Sequence, residues 1–239
     1  ASILFSDILT IPDALNLGLG FHEGEGPKFS NPISSTDDIN NIDTFDVNSL
    51  DYVFRAVEET KNLIPANLPL IGFCGSPWTL AAYSIEGGGS KDFQKTKTFM
   101  AENPNALHDF LEILSDACYQ YLKQQVLSGI NAIQIFDSWA DLLSEDELDL
   151  FSLSYTKKIT QKLKNDPITK HIPIILFEKN PNKDITDLIF KDLSCISLYW
   201  NSDIRILSES LKNDIAIQGN LDPKVLSKSD ETIQEEVRK

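Results

Sequence analysis

Arginine is nearly absent from this chain. Of 21 basic residues only Arg55, Arg205 and Arg238 are arginines, against 36 aspartates and glutamates, and the net charge is −15. Nucleic acid would be repelled by such a surface, and no basic aromatic patch offsets it. The usual forked clamps for phosphate and carboxylate are correspondingly few. Cysteine is scarce too. Cys74, Cys118 and Cys195 are odd in number and far apart, which fits neither a disulfide framework nor a zinc ligand set. That pattern suits a reducing compartment, and we expect the cytoplasm. No apolar run approaches the ~18–20 residues of a membrane helix. The start lacks a basic n-region, and Asp7 interrupts its apolar run, so a signal peptide is not expected.

What is present is a repeated strand-then-helix theme. Runs of four or five apolar residues end in short polar or glycine-rich segments at "ILFSD" (3–7), "PLIGFCGSP" (69–77), "AIQIFDS" (132–138), "IPIILFEKN" (172–180), "CISLYWNSD" (195–203) and "IAIQGNLDP" (215–223). Continuous apolar runs of this length suit parallel strands covered on both faces. Between them lie helical patterns. In 103–129, Asn103 is the expected N-cap and Pro104 the first helical residue. Leu107, Phe110, Leu111, Leu114, Cys118, Tyr121 and Leu122 then keep one apolar stripe, and Gly129 stops the helix. Over 144–166, Ser144 and Glu147 read as a capping box, with lysines crowding the far end.

Alternation of this kind predicts an α/β fold with right-handed crossovers, either an open sheet or most of a (β/α)8 barrel. With 239 residues, 41% hydrophobic and 24% charged, the chain suits one domain, and no Gly-, Pro- or Ser-rich linker divides it. The acidic stretch 35–46 reads as a surface excursion. "EGGGS" (86–90) follows a helical pattern, so it is neither a P-loop nor a dinucleotide turn, and its plain reading is a flexible loop.

Reactive groups of α/β barrels lie at the C-terminal ends of the strands. Those ends offer Asp7, then 72–78, then Asp137-Ser138-Trp139, Glu178-Lys179-Asn180, Trp200-Asn201 and 218–222. His22, His108 and His171 fall elsewhere, in a loop, on a helix and before a strand, and read as surface or packing residues. No Ser-His-Asp triad or metal cluster can be assembled from these positions. Asp7 is either a helix cap or a reactive carboxylate, and Asp137 and Ser138 carry the same ambiguity.

At "LIGFCGSPWTLAAYSIEGGGS" (70–90) the sequence resembles the uroporphyrinogen decarboxylase family. The likeness continues through "FSDIL" (5–9), "EGEGPKF" (23–29), "IFDSWA" (135–140), "IILFEK" (174–179) and "IQGNLDP" (217–223), in the family's order and across nearly the whole chain. Cys74 departs from the family's usual alanine. The resemblance implies a (β/α)8 TIM-type barrel, of which residues 1–239 would supply about six strand–helix units as a single incomplete domain. It implies a homodimer and a cofactor-free, metal-free lyase acting on uroporphyrinogen. Asp7 matches the family's FSD aspartate, Tyr83 its tyrosine before EGGGS, and Ser138 the serine after IFD. Phe73 would lie against the macrocycle. The family's arginine-bearing M-R-Q-A-G-R type segment and its G-H-G motif match nothing here, so the chain is expected to be an internal fragment whose anion clamps lie outside it. A polyanionic substrate calls for local positive charge, for which Lys91 and Lys179 are the candidates, each reading first as a solvated lysine. Methyltransferases on the same superfamily barrel hold zinc through His and Cys, but no His-x-Cys pair occurs here. A non-catalytic tetrapyrrole-binding protein is the remaining alternative.

Overall fold

The computed structural model describes residues 1–22, 24, 26–179, 188–202 and 215–238. Six parallel strands lie side by side: β1 (Ser2–Ile3), β4 (Leu70–Gly75), β5 (Ala132–Asp137), β6 (Ile174–Glu178), β7 (Cys195–Ser197) and β8 (Ala216–Gln218), in that order. β2 (Leu19–His22) and β3 (Gly26–Phe29) form a separate antiparallel hairpin. Each strand of the large sheet is added beside the previous one. Winding therefore runs in one direction, as in a barrel, with no reversal of the doubly wound kind. The sheet is curled: Gln218 of β8 reaches Gln134 of β5, three strands away, at 3.5 Å. This is an arc of an α/β barrel, as expected.

The strands are shorter than the apolar runs that announced them. β1 stops at Ile3, because Asp7 and Thr10 bond their own neighbourhood instead of a ladder. Phe5 is consequently 87% exposed. Residue Asn180, placed above among the strand-end groups, and Arg205 lie outside the described residues.

The outer face of the arc carries the helices α1 (Thr10–Pro12), α2 (Thr36–Asn40), α3 (Asp51–Leu63), α4 (Pro77–Glu86), α5 (Gln94–Glu102), α6 (Pro104–Leu127), α7 (Glu145–Leu148) and α8 (Ser154–Asn165). The long helix α6 is the spine. All seven residues of its predicted stripe are buried, each large apolar side chain contributing roughly 1.5–3 kcal/mol. Pro104 opens it as expected, but the Asn103 side chain makes no cap. Asn103 also ends α5, its N–H bonding the Phe99 carbonyl, and its backbone is set by that duty. The Ser144–Glu147 capping box is formed, and α7 passes through a widened turn at Asp149–Leu153 into α8.

Two glycines decide how closely layers approach. A side chain at Gly72 would stand 2.5 Å from both Gln125 and Ile130 of the α6 end. Its absence lets the buried Gln125 amide accept from the Phe73 N–H (3.1 Å) and donate to the Phe73 carbonyl (3.0 Å). The second case corrects the flexible-loop reading of 86–90. Gly87 closes α4 in a left-handed conformation, φ 89°, and its carbonyl accepts from Phe29 of β3. A Cβ on Gly88 would meet the Pro27 carbonyl at 2.8 Å. The glycine segment clasps the hairpin, and His22 accordingly belongs to β2, not to a loop.

Gly72→Val should overpack the β4–α6 contact and lower the unfolding free energy by roughly 1–3 kcal/mol. Urea denaturation measures this, and an unchanged midpoint would contradict the close-approach account.

Candidate active site

Side chains alternate across each strand, so register assigns them to the concave face or to the helices. Gly72 and Cys74 face α6, with the Cys118 thiol donating to the Gly75 carbonyl beside them. Phe73 therefore faces the concave side. Phe136 meets it edge-on, ring centres 5.7 Å apart, and Phe177 follows at 5.8 Å from Phe136. Beside this apolar row lies a polar one, in which Gln218 donates to Ser197 at 3.3 Å. The concave face thus offers a row of mutually tilted aromatic rings with amide and hydroxyl groups next to it.

Asp7 stands in the turn after β1. One carboxylate oxygen, Oδ1, accepts the Leu9 N–H at 2.8 Å, and the Asp7 carbonyl takes the Thr10 hydroxyl at 3.0 Å. The capping role weighed for Asp7 is real, but it occupies Oδ1 alone. Among the described residues no hydrogen bond engages Oδ2. The turn lies against α6, where Ser6 and Thr10 stand next to the buried Tyr121 phenol. Burial pushes that phenol up to about 12, so it stays neutral. Ile8 packs at the end of β4, 3.4 Å from where a Gly75 side chain would begin. This brings the Asp7 turn to the strand that carries Phe73.

Tyr83 sits on α4. That helix starts directly after β4, with Ser76 capping the Thr79 N–H at 3.0 Å and Pro77 in its first turn. The Tyr83 ring is half-buried and meets Phe93 and Trp139 edge-on, at 5.8 and 5.9 Å. Trp139 is itself locked: Phe93 packs on it at 4.4 Å, and its carbonyl accepts from the Trp78 indole at 2.9 Å. Ser138, half-buried, is the residue immediately before it. Tyr83 thus meets the ring of the residue that follows Ser138, while Phe73 lies on the concave face against Phe136.

Asp137 is a correction. Placed above with the strand-end groups, it points instead to the helix layer and is 1% exposed. It accepts from the hydroxyls of Ser76 (2.8 Å), Thr79 (2.9 Å) and Ser152. Desolvation holds its carboxyl above the ordinary 3.8, although the three hydroxyl bonds pull the other way. Lys179 is a second correction. Its ammonium is not a solvated surface charge: it pairs with Asp141 at 2.9 Å, over the faces of Trp139 and Tyr199. Lys91 is exposed. His108 has the packing role expected, bonding the Tyr155 hydroxyl at 2.7 Å and stacking on Phe151. His171 is exposed. Gln125 and Asp141 escaped the sequence reading, and Tyr121 was placed only on the apolar stripe of α6. Gln125 could have been noticed, being four residues beyond Tyr121 on an apolar stripe.

Among the described residues no group of three or more His, Cys, Asp or Glu is placed to hold a metal ion, and no helix is long and apolar enough to cross a membrane.

A singly wound parallel arc, with its polar groups collected beyond the strands' C-terminal ends, defines the α/β-barrel class of enzymes. Within that class the whole chain, residues 1–239, matches the family described as Uroporphyrinogen decarboxylase (URO-D). The protein named uroporphyrinogen decarboxylase in Acinetobacter baylyi is 44% identical over 239 residues, all of this chain and 67% of that protein. The one in Vesicomyosocius okutanii is 46% identical over all of this chain and 68% of its own length. The chain belongs to the uroporphyrinogen decarboxylase family, and spans about two thirds of these relatives. A solved methyltransferase from Methanosarcina mazei shares the fold, with a TM-score of 0.68 over 92% of this chain and 64% of that one, at 16% identity.

The Asp137 geometry makes a prediction. Asp137→Ala would strand buried hydroxyls and should cost about 3 kcal/mol or more. Asp137→Asn keeps an acceptor and removes the buried charge. A carboxyl whose folded value is raised penalises folding once it ionises. The stability of the wild type relative to Asp137→Asn should therefore fall as pH rises above the ordinary 3.8. Urea midpoints of both proteins, compared at roughly pH 4.5 and 7.5, measure this. A wild type that gains on the variant over that interval would contradict the assignment.

Proposed function

We propose that this protein is a cofactor-free uroporphyrinogen decarboxylase, a carboxy-lyase of porphyrin biosynthesis that converts the four acetate side chains of uroporphyrinogen III to methyls, giving coproporphyrinogen III. The observation that carries the proposal is the position of Asp7. A half-buried carboxylate stands in the turn after β1, whose Ile8 packs at the end of the strand that carries Phe73, in a chain matched over its whole length by the family.

Chemistry supports the same reading. A pyrrole is electron-rich, and a proton added to a ring carbon makes the ring an electron sink. The bond between the acetate methylene and its carboxylate then breaks, and its electron pair moves into the ring as CO2 leaves. A proton taken up at the exocyclic carbon completes the methyl, while the ring loses the proton it first gained. Each acetate therefore consumes one proton in total and needs no redox partner. In this account Asp7 accepts the converging pyrrole N–H groups through the oxygen that Leu9 leaves open, and stabilises the positive charge that grows on the protonated ring. Phe73 lies against the macrocycle. Tyr83 and Ser138 hydrogen-bond substrate carboxylates. The active species in this proposal is a homodimer in the cytoplasm, and residues 1–239 form one barrel domain of it.

Asp7→Asn preserves an oxygen for the Leu9 N–H and removes the charge. We expect kcat to fall about 10²–10³-fold with an unchanged thermal melt. Tyr83→Phe keeps the edge-on ring contacts and loses only the hydroxyl, so a milder loss, roughly tenfold, is expected. Anaerobic turnover of uroporphyrinogen III reads both. An unchanged rate for Asp7→Asn, or a Tyr83→Phe loss as deep as that of Asp7→Asn, would contradict these roles.

A further inference from the structure

We propose that Lys179 is a carboxylate-binding residue of the site, with Asp141 as its partner in the free protein. The inference rests on the decarboxylase reading and extends it by a residue that the sequence offered as a local positive charge but that read first as solvated.

Three observations support it. First, Lys179 is fixed at the strand-end face. Its backbone N–H bonds the Asp137 carbonyl at 3.0 Å, which ties the residue after β6 to the end of β5. Second, its ammonium lies over the face of Trp139, 5.1 Å from the ring centre, and 5.8 Å from that of Tyr199. Trp139 is the indole that Tyr83 meets edge-on and that follows Ser138. The lysine and the tyrosine thus contact one ring, which packs on Phe93, while the Trp139 backbone carbonyl accepts from the Trp78 indole. Third, the cation is only partly neutralised. Among the described residues its one ion-pair partner is Asp141, through a single oxygen at 2.9 Å, whereas an ammonium carries three donors. The side chains of Lys179 and Asp141 are 25% and 29% exposed, so an arriving anion can reach them.

A single, partly exposed ion pair contributes little to stability, so this one gives the fold no strong reason to hold the lysine over two aromatic rings. It does give binding one. In a chain of net charge −15, a polyanionic substrate needs a positive charge at the point of contact. An aromatic face beneath an ammonium attracts the cation and takes the place of part of its hydration. Asp141 occupies it in the free protein, and a substrate carboxylate shares or displaces that contact. A weak monoanion competes poorly with a carboxylate already in place, which favours a multiply charged ligand.

The test compares wild type, Lys179→Met, Lys179→Arg and Asp141→Asn. It uses anaerobic decarboxylation of uroporphyrinogen III beside fluorescence titration with oxidised uroporphyrin, a non-reacting octacarboxylate. Lys179→Met should raise KM and weaken uroporphyrin binding roughly tenfold. Its kcat should stay within about threefold of wild type, as befits lost binding and not lost chemistry. Lys179→Arg should restore most of the affinity, and Asp141→Asn should tighten it. If Lys179→Met does not fold, the Arg and Asp141→Asn variants carry the same test. Unchanged affinity in Lys179→Met, or weaker binding in Asp141→Asn, would overturn the assignment. A wild type that binds uroporphyrin but releases no CO2 would overturn the decarboxylase reading instead, and the titrations would still decide the role of Lys179.

Discussion

Asp137 gives up its hydration in order to gather hydroxyls from Ser76, Thr79 and Ser152, and most of the candidate site hangs on that exchange. Ser76 caps α4, and α4 carries Tyr83. Thr79 also accepts the backbone N–H of Trp139 at 3.4 Å, and Ser152 lies on the turn that leads into α8. One buried carboxylate thus joins the end of β5, the start of α4 and the approach to α8. A buried charge is costly unless its hydrogen bonds are satisfied, so the arrangement has a strong geometric preference. The consequence reaches the residues just beyond: the Trp139 N–H is held by Thr79, which fixes where the chain leaves β5.

That division of labour between neighbours explains how a short strand end can serve both fold and chemistry. Helix-facing positions 133, 135 and 137 hold the layers together, while 134 and 136 face the concave side with Phe73. Asp7 shows a comparable division within one side chain, where one oxygen organises the turn and the other takes no bond among the described residues. The shared arc with a methyltransferase of 16% identity underlines that the scaffold itself does not select a reaction. Selection rests on what stands at the strand ends.

Much of this was legible in residue order. Six apolar runs become the six parallel strands, because a strand covered on both faces needs no polar alternation. The stripe of α6 is buried where its spacing placed it. The motif blocks pointed to Asp7, Tyr83, Ser138 and Phe73, and of these Tyr83 meets the ring of Trp139, the residue after Ser138. Other features were not legible, for physical reasons. Alternation separates the two faces of a strand but does not say which is concave until register is known, so Asp137 and Ser138 looked equivalent. The glycines of 86–90 suggest freedom, yet Gly88 is needed because the Pro27 carbonyl leaves no room for a side chain. Lys179 looked solvated because both Asp141 and Tyr199, which flank it, are distant in sequence.

The most direct test of the account is anaerobic incubation of the protein with uroporphyrinogen III, with the products resolved by mass and the released CO2 counted, with no metal or organic cofactor added. The account predicts loss of four CO2 per macrocycle, ending at coproporphyrinogen III. Tight binding of uroporphyrinogen III without release of CO2 would contradict it and would make this barrel a tetrapyrrole-binding protein.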